Sequence, residues 1–67
     1  MKLRLKVKEI AESKGFNQST LARKADLDFT TVKRLYRFPY RDVAVSTLYK
    51  VAIALNVTID ELIEKED

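Results

Sequence analysis

The spacing of apolar positions changes several times along the chain, and each change marks an expected element. Lys2–Val7 alternates charged residues with Leu3, Leu5 and Val7, the period of a strand or of a short extended arm. From about Lys6 the spacing becomes helical, with Val7, Ile10 and Ala11 on one face. Gly15 follows, placed to end that helix in a left-handed conformation. Asn17 is a suitable N-cap for a second helix, Gln18–Ala25, striped by Leu21, Ala22 and Ala25. Asp28 is the expected cap of a third, Phe29 to about Arg37, with Val32 and Leu35 inward. Phe38 and Pro39 stop it, because proline removes a donor and disfavours helix in the residue before it. A fourth helix near Val45–Leu55 presents Leu48, Val51, Ala52 and Leu55. Thr58 answered by Glu61 fits a capping box, which predicts a last short helix, Ile59–Glu64, burying Leu62 and Ile63. The expectation is an all-α fold of five short helices, forming one domain over residues 1–67. Residues 1–5 are its arm or short strand, and residues 64–67 its acidic tail.

Composition narrows the chemistry. With 67 residues, 46% of them hydrophobic and 34% charged, the chain is too apolar for a disordered tail. It is short enough that its core must be thin. It holds no cysteine and no histidine, which removes disulfides, thiol nucleophiles and the usual zinc sets. No acid–base or nucleophile pair presents itself, so an enzyme is not expected. Asp60, Glu61 and Glu64 are better explained by helix capping and solubility than by a metal site, and no cofactor is implied. The longest uncharged run, Val51–Ile59, falls far short of the roughly 20 residues a membrane span needs, and no secretory signal opens the chain. The formal charge is +3, but residues 60–67 hold five acids against Lys65 alone. The first 59 residues therefore carry 12 basic against 5 acidic side chains. Such asymmetry is compatible with a polyanionic partner and equally with an ordinary solvated surface.

The second and third helices, with a three-residue break between them, have the proportions of a helix-turn-helix. Residue identities sharpen that reading. The run Asn17–Leu27, with Gln18 opening the helix, Leu21-Ala22 within it and Leu27 after the turn, resembles helix 2 and the turn of the Cro/lambda-repressor-like (XRE-type) family. Val32 and Leu35 match the apolar positions of its recognition helix. Ser46–Val57 resembles the helix that follows, and Thr58–Ile63 the ending of the domain. The resemblance spans about residues 5–63 and implies a lambda-repressor-like DNA-binding domain. It has departures. Asp26 stands where the family usually has glycine, and Phe38 where it often has glycine. The Tyr36–Asp42 loop is one residue longer than the common pattern.

On a helical wheel, Val32 and Leu35 take one side of the third helix, while Thr30, Lys33, Arg34 and Arg37 recur on the other. That is the pattern of a helix that sits in a major groove, apolar toward its own domain and cationic toward DNA. The resemblance makes Phe29, Thr30 and Lys33 the expected base readers, with Thr31 beside them. Phe29 has a second reading, packed over the helix start alongside Val32 and Tyr36. Gln18 and Ser19 open the second helix, where N–H groups and the helix dipole favour a phosphate. Arg34, Arg37 and Arg41 read as phosphate clamps, with Tyr40 offering a hydroxyl; Phe38 reads as a core plug.

The resemblance also implies a homodimer across two half-sites. Tyr49, Ile53 and Ile63 are its candidate apolar patch, although Ile59 and Leu62 of the same chain are equally suited to cover it. The leading expectation is a sequence-specific double-stranded DNA-binding transcriptional regulator, most simply a repressor. The expected setting is cytoplasmic, in a prokaryote or phage, in association with the nucleoid. An antitoxin that represses its own operon with a protein partner uses the same residues. A protein-interaction module that has lost DNA is the reading from another class. Too little chain lies outside the fold to house a small-molecule effector pocket.

Overall fold

The computed structural model describes residues 2–66; Met1 of the expected arm and Asp67 of the expected tail lie outside them. Four α-helices, α1 (Val7–Ser13), α2 (Gln18–Ala25), α3 (Phe29–Arg37) and α4 (Val45–Leu55), follow a first strand, β1 (Lys2–Leu5). After α4 come a single 3-10 turn, Asp60–Leu62, and a second strand, β2 (Ile63–Glu66). α2 packs against both α3 and α4, and α1 bridges the same two helices. Ala22 and Ala25 are buried on α2, where their small side chains let the neighbouring helices approach closely. Leu21, Leu55, Leu62, Val7, Val32 and Val51 are sealed at the centre of the core.

The fifth helix expected over Ile59–Glu64 is not formed, and the fold is not all-α. The capping box itself is present: the Glu61 N–H donates to Thr58 Oγ1 at 3.2 Å and the Thr58 N–H to Glu61 Oε1 at 3.4 Å. It starts only one 3-10 turn. Ile63–Glu66 then pairs antiparallel with Lys2–Leu5, in the register Lys2 with Glu66, Leu3 with Lys65, Arg4 with Glu64 and Leu5 with Ile63. Helix initiation at Thr58 is local. Two strands with opposite charges on matching positions offer cross-strand pairing that a lone helical turn cannot match. The expected acidic tail is thus, over residues 64–66, the outer half of a ribbon. Two further bonds fix the ribbon to the helices: Leu5 N–H donates to Pro39 O and Lys6 N–H to Leu62 O, each at 2.7 Å.

Three helix ends share one construction. Gly15 (φ 83°), Asp26 (φ 56°) and Asn56 (φ 58°) are left-handed. Each is followed by an apolar residue, Phe16, Leu27 or Val57, whose N–H donates at 2.9 Å to the carbonyl of Ala11, Ala22 or Ala52 respectively. All three apolar residues pack against the core. The bond satisfies an orphan carbonyl while the side chain locks the exit, which is how such short helices can end abruptly. Asp26 therefore tolerates the conformation expected of glycine, as a short polar residue can. Replacing it tests this account in urea unfolding. Asp26→Ala should lose about 1 kcal/mol, whereas Asp26→Gly should be neutral or slightly more stable. An alanine variant as stable as the parent would contradict it.

Candidate nucleic-acid interface

The start of α2 is capped reciprocally. Asn17 Oδ1 accepts from the Thr20 N–H at 2.9 Å, while the Asn17 N–H donates to Thr20 Oγ1 at 2.8 Å. This arrangement leaves the Gln18 and Ser19 N–H groups at the first turn without an intrachain partner among the described residues. Ser19 is exposed and Gln18 half-buried. Asp26 and Leu27 then turn the chain into α3. Asp28 takes the N-cap position there in an extended conformation, yet its side chain makes no capping hydrogen bond, unlike the expectation.

Val32 and Leu35 are buried on α3, and Phe29, Thr30, Lys33, Arg34 and Arg37 are exposed. Phe29 is 48% exposed, so it does not close over the helix start as one of its two readings required. Thr31 is half-buried on the flank of the helix, where with Arg34, Phe38 and Arg41 it lines a cleft between α3 and the loop before α4. All three ion pairs among the described residues involve Arg4, so Lys33, Arg34, Arg37 and Arg41 have no carboxylate partner. The outward face of α3 therefore presents its cations to solvent without neutralising carboxylates.

The loop after α3 differs from expectation. Phe38 does not plug the core: it is 38% exposed, with the Arg37 and Arg41 guanidinium carbons 5.6 Å and 4.8 Å from its ring centroid. Pro39 and Tyr40 form a turn closed by the Arg41 N–H donating to Phe38 O at 3.2 Å. The Tyr40 hydroxyl donates to Glu66 Oε1 at 2.9 Å, and the Lys2 ammonium lies 5.5 Å from the Tyr40 ring. Both strands, through Lys2 and Glu66, therefore meet Tyr40 beside the exit of α3.

The profile of the Cro/C1-type HTH DNA-binding domain matches residues 6–67. The chain belongs to this family. Among solved structures it is similar to the restriction-modification controller protein C.AhdI from Aeromonas hydrophila, with 33% identity over 85% of each chain and a TM-score of 0.77. A search of curated proteins finds no match. α2, the turn and α3 have the proportions of a helix-turn-helix, and a domain of this family implies double-stranded DNA binding. Among the described residues no helix is long and apolar enough to cross a membrane.

Arg4 has no role in the sequence pattern but is central to the fold. Arg4 joins β1 to α1 and β2, pairing with Glu9 and Glu64 and lying 3.6 Å from Glu66. Its guanidinium is held further toward the charged form by the Glu9 and then the Glu64 hydrogen bonds. The matching alternation of charge in Lys2–Leu5 and Ile63–Glu66 was the available signal. Phe38, expected in the core because an aromatic residue after a helix is more often core, is exposed instead. Tyr36 is half-buried, its hydroxyl has no partner among the described residues, and burial followed by the Glu12 charge pushes its pKa up.

The Arg4 network carries a pH dependence. Burial alone would raise the Glu9 carboxyl, but the Arg4 hydrogen bond, a backbone bond and nearby cations outweigh it and hold Glu9 below its ordinary value. A depressed carboxyl stabilises the fold above the ordinary value, about 4.3, and that contribution is lost as pH falls through the folded value. Urea stability measured against pH should therefore fall on acidification, and Arg4→Met should flatten that fall. An unchanged acid limb in the variant would show that the network does not couple to folding.

Proposed function

We propose that this Cro/C1-type domain is a sequence-specific regulator of transcription that represses by occluding a promoter. α3 lies in the major groove in this reading. Phe29, Thr30 and Lys33 face base edges, with Thr31 beside them on the flank; Lys33 donates to guanine, and the Phe29 ring or the threonine methyls meet thymine methyl groups. Arg34, Arg37 and Arg41 hold phosphates. Gln18 and Ser19 offer a phosphate the free N–H groups at the start of α2. Tyr40 reaches a phosphate only by giving up Glu66. The observation that carries this reading is the exposed, unpaired cationic face of α3, opposite buried Val32 and Leu35. A module that had abandoned DNA would have no reason to keep that face basic and free of acids.

The likeness to a restriction-modification controller supports a controller role of that kind, ahead of an antitoxin role. A single copy reads too few base pairs for useful specificity, so the active unit is a homodimer on two half-sites. Its surface is the exposed stripe of α4, where Val45, Tyr49 and Ile53 recur one turn apart and remain open to solvent. Ile63 leaves the expected patch, because β2 turns it against the core beside Leu3 and Leu5. The cytoplasm is the compartment this activity requires.

Selection from a random duplex library at physiological salt tests the proposal. It should enrich an inverted repeat, and affinity for that site should fall with log salt at a slope of about −4 to −5 per protomer, for roughly five phosphates neutralised. Lys33→Ala should relax selectivity at one base position, whereas Arg34→Ala should weaken binding to all sequences alike. A single unrepeated site would remove the dimer. No enrichment by folded protein would overturn the reading.

A further inference from the structure

We infer that Phe38 is a positioning residue for DNA binding, its ring serving as a platform that holds the Arg37 and Arg41 guanidiniums ready for phosphate. The inference rests on the DNA-binding reading above. Both guanidiniums stand over the same ring, 5.6 Å and 4.8 Å from its centroid, and neither has a carboxylate partner among the described residues. Asp42 lines the same cleft but makes no ion pair with Arg41. Three backbone bonds fix the main chain of the turn that carries the ring. Phe38 N–H donates to Arg34 O at 2.8 Å, Arg41 N–H to Phe38 O at 3.2 Å, and Leu5 N–H to Pro39 O at 2.7 Å.

The choice of an aromatic ring has a physical consequence. An acid could hold two arginines equally close, but it would neutralise them and compete with phosphate. The negative face of a π system orients a guanidinium while leaving its charge and its N–H donors available. Two flexible side chains are thereby ordered before binding, so less conformational entropy is lost when phosphate arrives. Arg4 on the ribbon shows the contrast: its partners are carboxylates, and its charge is used inside the fold.

Two measurements test the inference separately from the DNA reading. In the free protein, the side-chain protons of Arg41 should show upfield ring-current shifts that disappear in Phe38→Leu. In a salt series with a labelled random-sequence duplex, Phe38→Leu should bind about threefold to tenfold more weakly than the parent at an unchanged melting temperature, and Phe38→Tyr should restore binding. Introduced into an Arg37→Gln/Arg41→Gln background, Phe38→Leu should cause no further loss. A full additional loss there would assign Phe38 a purely structural role and overturn the inference, as would absent ring-current shifts in the parent, a result that needs no variant to fold. Failure of the parent itself to bind duplex would overturn the DNA reading and this inference with it, whatever the ring-current result.

Discussion

Lys2–Leu5 and Ile63–Glu66 hydrogen-bond to one another, and the Leu5 N–H then reaches Pro39 in the turn after α3. Helices as short as these are unstable alone, and most of their stability comes from the apolar face they bury together. Closing the chain ends into a ribbon places Leu5 and Leu62 against that shared core and ties the exit of α3 to the rest of the molecule. Without the ribbon the turn that carries Phe38, Tyr40 and Arg41 would have no anchor on its far side.

Arginine is used in two distinct ways. Arg4 is surrounded by Glu9, Glu64 and Glu66, so its charge is spent on joining β1, α1 and β2. Arg37 and Arg41 are held by an aromatic face and keep theirs. The acidic end of the chain serves the same division. Glu66 accepts from Tyr40 close to the cationic loop, yet the arginines there form no pair with it among the described residues. A Cro/C1-type domain has to be basic on one face and cohesive elsewhere, and here the carboxylates are placed to meet the second need without cancelling the first.

Much of this was legible in the chain. The spans of α2, α3 and α4, the Asn17 cap and the left-handed residues at Gly15 and Asp26 follow from local chemistry, because caps and turns are decided by a few neighbouring residues. The last element departs from its local signal for the same reason. Thr58 and Glu61 do form their box, but the state of Ile63–Glu66 is decided by Lys2–Leu5, far away in sequence. Ile63 packs against the core as its burial pattern implies, but through β2 and not through a helix, whereas Phe38 stands exposed where a core plug was expected. The exposed face of α3 could be read from periodicity alone, whereas the pairing of Arg4 could be known only once the strands had found each other.

The central claim, that the exposed face of α3 and the adjoining turn receive DNA, is tested most directly by amide chemical-shift mapping during titration with a duplex. Perturbations should cluster at Gln18–Ser19, along Phe29–Arg37 and at Phe38–Arg41, leaving α1 unaffected. Perturbations confined to α1, or to the Val45–Ile53 stripe of α4, with α3 silent, would contradict the account.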